Sequence, residues 1–326
     1  MKARLFSGIR PTGEIHIGNY LGAVKNWVDL QNKYQAILSI VDYHAITTPY
    51  NKDEMQKLIK EMAIGIISCG VEPEKCTLFI QSKVPAHTEL NWILCSVTSF
   101  NWLTGMIQFK EKSEHHPENI NAGLFCYPVL QTADIALYKP KYVPVGEDQV
   151  QHIELARDVI RKFNNSFGEI LIEPEALITK AKRIMGLDAE NKMSKSLNNY
   201  ISIVDSSDAI FQKLRPAVTD VARVKRTDPG TPEKCNIYMS FHKNFSDNET
   251  LKIVEEGCTT ASIGCIDCKK MLHKNMNQHL EPIREKYHKI SSQKGYIEEV
   301  LDFGAKKAKE IADVTLQEVK EIMGLS

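Results

Sequence analysis

Long apolar runs are missing from this 326-residue chain. None reaches the roughly 18 residues that a membrane-spanning helix requires, so no membrane partner is expected. Net charge is missing as well, because 41 Lys and Arg are matched by 41 Asp and Glu. That balance excludes a chain-wide basic surface, so any contact with RNA must use local patches and no DNA partner is expected. Two patches are visible, one at Lys180, Lys182 and Arg183, the other at Arg215, Arg223, Lys225 and Arg226. There is no internal repeat, no low-complexity tract and no long tail of one charge. Met1-Lys2-Ala3 leads straight into an apolar segment rather than a secretory leader, so the expected location is cytoplasmic. In a reducing compartment the eight cysteines are not expected to form disulfides.

What is present fits two domains, with 43% hydrophobic residues to fill a large core. Up to about residue 180, short apolar runs alternate with amphipathic ones. Ala3 to Ile9, Gln35 to Val41 and Cys76 to Ile80 read as buried strands. Asp53 to Cys69 and Glu147 to Asn164 read as helices. Strands separated by helices predict an α/β fold with a doubly wound parallel sheet, which binds ligands at the carboxyl ends of its strands. After Ser196 the periodicity is helical, clearest over Asp208 to Leu214, Lys269 to Ser291 and Gly295 to Met323. Tyr296, Val300, Phe303 and Ala308 read as part of an apolar stripe facing a core.

Two short runs carry chemistry. The first strand runs into Arg10-Pro11-Thr12-Gly13, then His16-Ile17-Gly18-Asn19 at the start of a helical pattern. A strand, a glycine-bearing turn and a helix N-terminus favour an anion, through free backbone N–H groups and the helix dipole. Gly18 leaves room for a nucleoside, and His16 and Asn19 offer donors to phosphate oxygens. The second run is Lys192-Met193-Ser194-Lys195-Ser196, in a stretch without hydrophobic period. It reads as a mobile cationic loop that closes over a triphosphate and stabilises the charge on departing pyrophosphate. Elsewhere, Asp134 sits in the apolar helical stretch Leu130 to Leu137, where a carboxylate is costly to bury unless paired. Asp148 follows Gly146 and Glu147 at a helix start, where it could accept from ribose hydroxyls.

His-Ile-Gly-Asn followed by Lys-Met-Ser-Lys-Ser resembles the paired signatures of class I aminoacyl-tRNA synthetases, with Asn19 in place of the usual second histidine. The resemblance to the bacterial tryptophanyl-tRNA synthetases runs nearly end to end. It includes Ser7 to Gly13, Val41 to Thr47, Gln108 to Ser113, Ala122 to Pro128, Ala133 to Ile135 and Val143 to Gln149. It implies a Rossmann-type catalytic domain over residues 1–185 and a helical anticodon-binding domain over 186–291. The final helix, about 292–326, would pack back on the first domain. It implies ATP with Mg²⁺ and L-tryptophan as substrates, tRNA(Trp) as acceptor and a homodimer. Catalysis would fall to Lys192, Lys195, Lys110, His16 and Asn19. ATP would be held by Arg10, Pro11, Thr12, Gly18, Asn19, Gly146, Glu147, Asp148, Ile184 and Lys192 to Ser196, including Met193 and Ser194. Tryptophan would be held by Asp134, which accepts the indole N–H, with Gln131, Phe6, His44 and Tyr127. Some relatives place a methionine where this chain has Gln131, so a more polar pocket is expected. A tyrosine-specific relative is the nearest alternative, but it usually carries Gly-Gly-x-Asp-Gln where this chain reads Gly146-Glu147-Asp148-Gln149. A nucleotidyltransferase, or a non-catalytic iron–sulfur RNA-binding protein on this fold, are the other readings.

Four cysteines stand apart from the rest. Cys235, Cys258, Cys265 and Cys268 are spaced C-x22-C-x6-C-x2-C. Four thiolates ending in C-x2-C suit a tetrahedral zinc or a [4Fe-4S] cluster, and spacing alone leaves both open. The resemblance favours iron–sulfur, because a subset of these synthetases carries the same spacing. Cys69, Cys76, Cys95 and Cys126 read as core thiols.

Overall fold

The computed structural model describes residues 2–107, 120–178 and 184–325. Lys110, with the rest of Gln108 to Ser113, lies outside the described residues, as do Lys180, Lys182 and Arg183.

Strand β1 (Arg4–Ile9) forms where Leu5, Phe6 and Ser7 are buried between layers. It pairs in parallel with β2 (Gln35–Ile40), Arg4 opposite Gln35 and Ile9 opposite Ile40. Beyond β2 lies β3 (Thr77–Ile80), and on the other side of β1 lie β4 (Tyr142–Val145) and β5 (Glu175–Ile178). All pairings are parallel and the order is β3-β2-β1-β4-β5. The chain therefore builds outward from β1, then returns to its other side. The crevice between the ends of β1 and β4 is the switch point at which such sheets bind ligands.

Helices cover both faces. The first, α1, joins Ile17–Asn19, a wide π-turn at Tyr20–Val24 and Lys25–Leu30. Next come α2 (Met55–Ser68) and α3 (Ala86–Val97). Helix α4 (Ala122–Ala136) starts where the Asn121 side chain accepts from the Leu124 N–H at 2.9 Å. It is followed by α5 (Val150–Phe167) and α6 (Ser207–Leu214). The later part holds α7 (Asn248–Thr259), α8 (Cys265–Ser291) and α9 (Tyr296–Ile322).

Two apolar clusters fill the interior. One joins Leu5, Leu38 and Ile40 of the sheet, through Ile15, Ile17 and Met193, to Leu272, Met276 and Leu280 of α8. The other seats α9, through Ala305, Ala308, Ala312 and Leu316, against Phe79, Leu90 and Leu94. The last helix thus packs on the sheet half. Phe303 does not join this face. It is 58% exposed, with the Lys307 ammonium over its ring. The buried positions are Ile297, Leu301, Gly304, Ala305 and Ala308. At about 100° per residue, position 303 points nearly opposite 301.

Candidate active site

The turn after β1 and the cationic loop are joined by backbone. Ile17 N–H donates to Ile201 O and Ile203 N–H to Ile15 O, both within 3.0 Å, so residues 15–17 and 201–203 run antiparallel. The loop is docked rather than loose. Met193 is buried, Lys195 Nζ donates to Thr12 O at 2.8 Å, and Lys192 Nζ pairs with Asp148 Oδ2 at 2.9 Å. Asn199 is the internal brace. Its Oδ1 accepts from Ser194 N–H at 2.7 Å and its Nδ2 donates to Asp188 Oδ2 at 2.8 Å. The sequence pattern did not mark Asn199 or Asp188. Lys192 and Asp148 are each half exposed, so their pair is worth at most about 1 kcal/mol and yields readily to a charged ligand.

His16 caps α1. Its Nδ1 accepts from Asn19 N–H at 3.2 Å, which in the neutral ring leaves Nε2–H to donate. Burial, with Lys195 adding repulsion, lowers its pKa to about 4, so the ring is neutral at physiological pH. The expected row of free N–H groups is partly filled. Ile17 N–H is taken by Ile201 O, Asn19 N–H by His16, and Gly18 N–H by the Met193 thioether at 3.4 Å. Sulfur is a weak acceptor, so the Gly18 N–H is the donor most easily handed to a ligand. A side chain at Gly18 would stand 2.9 Å from the His16 ring, which is why glycine is needed there. Asn19 Oδ1 is buried and has no partner among the described residues.

At the switch point is a cavity of about 450 Å³. Phe6, Gly8 and Arg10 from β1 and its turn, Val145 at the end of β4 with Gly146 and Gln149 after it, and His44, Tyr127, Gln131 and Asp134 all line it. The structure therefore brings together the five residues expected around tryptophan, and adds Arg10. Lys192, Lys195 and His16 are not among the lining residues. Ile184, buried on the cluster that holds Met193, accepts Met193 N–H at its carbonyl.

Asp134 is 1% exposed and richly paired. Its Oδ1 accepts from Gln81 Nε2 and from His87 Nδ1, both at 2.7 Å, and its Oδ2 faces His44 Nε2 at 2.8 Å. Burial alone would raise its pKa, but these donors hold it well below the usual carboxylate range. An ionised carboxylate only accepts, so both imidazoles donate to it. His87 Nε2 meets the Tyr138 hydroxyl at 2.8 Å, and burial pushes the pKa of that hydroxyl up. Gln81, His87 and Tyr138 were not foreseen. The available signal was Asp134 itself, since a carboxylate in an apolar helix demands donors from elsewhere in the chain.

The four spaced cysteines sit together in the helical half. The Cys268 thiol is pushed up to about 12, first by burial and then by the negative charge that Cys235, Cys258 and Cys265 would carry. Arg223 Nη1 reaches Cys258 Sγ and Cys265 Sγ at 3.8 and 3.9 Å. Backbone N–H groups favour the thiolate of Cys235 against the burial that raises its pKa. The ammonium of Lys269, buried nearby, donates to Arg215 O and Ala217 O. The donors and cations suit a group of thiolates. Among the described residues, however, no three His, Cys, Asp or Glu side chains stand close enough to hold a metal ion. A single zinc needs sulfurs only about 3.8 Å apart, from Zn–S bonds of about 2.3 Å.

Residues 1–281 match the family of tRNA synthetases class I (W and Y). The chain is 47% identical to a tryptophan–tRNA ligase of Deinococcus radiodurans, over 99% of this chain and 98% of that one. It is 43% identical to that of Thermotoga maritima, over 99% of each. A tryptophanyl-tRNA synthetase of Campylobacter jejuni, solved with ADP and tryptophan, superposes with a TM-score of 0.87 at 36% identity. That match covers 99% of this chain and 100% of the other. The chain belongs to the class I tRNA synthetases, a class consistent with its parallel sheet and its pair of signature loops. Within that class its place is among the tryptophan–tRNA ligases, and its activity is the ligation of tryptophan to tRNA.

Proposed function

We propose that the 450 Å³ cavity holds L-tryptophan, with its indole N–H on Asp134, and that ATP lies between this cavity and the docked loop. A carboxylate oxygen of tryptophan attacks the α-phosphorus and forms the acyl-phosphate bond. The bond from the α-phosphorus to the bridging oxygen breaks, and pyrophosphate leaves with the electron pair. Such a transfer needs position and charge more than covalent help. Lys192 and Lys195 receive the departing pyrophosphate, His16 donates through Nε2–H, and Mg²⁺ enters with ATP. Asp148 takes the ribose once Lys192 turns to phosphate, beside Gly146 and Glu147. Pro11, Thr12, Gly18 and Asn19 line the nucleotide, with Ser194, Ser196 and Ile184 at the loop. Phe6 and Tyr127 pack around the amino acid. A hydroxyl of the terminal tRNA ribose then attacks the acyl carbon, and AMP leaves. The juxtaposition of a fixed acid with the turn after β1 supports this reading. Residues 1–185 would carry the chemistry, 186–291 would read the tRNA, and 292–326 would brace the first part. Trp92 and Phe100, 78% and 68% exposed, offer an apolar face for a second subunit.

Pyrophosphate exchange into ATP tests it directly. Of the twenty amino acids, only tryptophan should support exchange, and comparable exchange with tyrosine overturns the reading. Lys195→Ala should lower the exchange rate constant by about 10²- to 10³-fold while leaving tryptophan binding without ATP unchanged.

We further propose that Cys235, Cys258, Cys265 and Cys268 hold a [4Fe-4S] cluster rather than zinc. Among the described residues no three ligating side chains close on a single ion, and Arg223 with Lys269 would offset the charge of the thiolates. Bound there, the group would tie the turn that ends at Cys235 to α7 and α8. Anaerobic preparation should yield iron and acid-labile sulfide, and stoichiometric zinc would overturn the assignment. Cys265→Ser should reduce aminoacylation more than exchange, and equal loss in both counts against an RNA-facing role.

A further inference from the structure

Among the described residues that line the cavity, Arg10 is the one lysine or arginine, and its charge is largely unspent. Among the described residues its side chain makes one hydrogen bond, from Nη2 to Thr48 Oγ1 at 2.9 Å. Its Nε is buried with no partner among those residues. Burial disfavours the charged guanidinium and lowers its pKa, and the nearby Tyr127 phenol offsets only part of that cost. A planar guanidinium anchored at one corner, with a second donor buried and unused, is built for an oxyanion.

The anion is fixed by where Arg10 stands. It lines the cavity with Asp134, Tyr127 and Gln131, whereas Lys192, Lys195 and His16 do not. Asp134 is already satisfied by three protein donors, so it does not claim Arg10. Tryptophan brings an indole for Asp134 and, from the same molecule, a carboxylate. We propose that Arg10 binds the carboxylate of the amino-acid substrate and presents it to the α-phosphorus, rather than serving as an ATP-phosphate residue as the resemblance implied. The proposal rests on the tryptophan reading above. A cation shared by two anions that must meet reduces their repulsion, while one carboxylate oxygen stays free to attack.

The test uses three ligands without ATP: tryptophan, tryptamine, which lacks the carboxylate, and indole-3-propionate, which lacks the ammonium. Calorimetry on the full-length protein and on Arg10→Gln gives six affinities. Arg10→Gln should weaken tryptophan and indole-3-propionate by about 10- to 100-fold and change tryptamine by less than threefold. Arg10→Lys, which keeps the charge, should recover part of the loss. Equal weakening of all three ligands overturns the proposal, since Arg10 then only shapes the cavity. Unchanged tryptophan affinity with weakened ATP binding also overturns it, returning Arg10 to the nucleotide. If no indole ligand binds the unaltered protein, it is the tryptophan reading that fails. Thermal melting of both variants confirms that each remains folded.

Discussion

Replacing Asp134 with asparagine is expected to reduce kcat/KM for tryptophan in the exchange reaction by about 10²- to 10³-fold, with KM for ATP changed little. The two side chains have nearly the same shape, so the effect is chemical. The carboxylate accepts on both oxygens, from Gln81 and His87 on one and His44 on the other. An amide has one acceptor and one donor. If its oxygen stays with Gln81 and His87, its NH₂ faces His44 and the incoming indole N–H, donor against donor. The reverse orientation leaves Gln81 and His87 without an acceptor. Losing a charge-assisted bond costs about 1.5–3 kcal/mol and stranding a buried polar group about 1–3 kcal/mol. Together they span roughly 2.5–6 kcal/mol, and at 1.4 kcal/mol per factor of ten the lower half of that range gives the expected loss. Wild-type affinity for tryptophan should also be steady from neutral pH down to about 4, because the folded carboxylate titrates below its ordinary value. The sign for stability follows. With the folded pKa below the unfolded one, the contribution of Asp134 is complete above pH 4 and is lost as pH falls through the folded value. A D134N variant with near-normal exchange would mean that the indole is recognised elsewhere.

How much of this could be read in advance depended on the kind of interaction. The two signature loops were legible because phosphate chemistry demands fixed residue types at fixed local spacing. β1, β2 and β3 were legible because buried parallel strands are short apolar runs between helices, whereas β5, exposed or half-buried along its length, showed no such run. Asp134 stood out because a carboxylate has no cheap place in Leu130 to Leu137. Its partners were hidden, since His87 and Gln81 lie 47 and 53 residues away in sequence, and only the packing of α4 against α3 and against the end of β3 brings them together. Lys192 and Asp148 were each expected to meet ATP, and pairwise attraction joins them to each other in this structure. Phe303 misled because hydrophobicity alone was counted, when the face of α9 is set by its phase. Small residues mark that face, and small residues carry little hydropathy signal.

The same face sets the largest expected loss of stability. Gly304→Ala should lower stability by about 2–4 kcal/mol and Tm by roughly 5–10 °C. On an exposed helix the change would stabilise by up to about 1 kcal/mol, because alanine is the better helix former. Here the added Cβ would stand 1.8 Å from the Leu78 carbonyl oxygen and 2.7 Å from its carbon. Both are backbone atoms of β3, held in register with Leu38 of β2, so they cannot rotate away as a side chain would. Relief requires α9 to lift from the sheet, loosening Leu301, Ala305 and Ala308 and opening gaps against Phe79, Leu90 and Leu94. The strain has a path to the site. Gln81 follows β3 directly and donates to Asp134, so a displaced β3 moves one of the donors that hold the indole acceptor. Scanning calorimetry should therefore show a lower Tm, and exchange assays a severalfold higher KM for tryptophan with ATP little affected. An unchanged or raised Tm would show that α9 does not rest on β3 at Gly304.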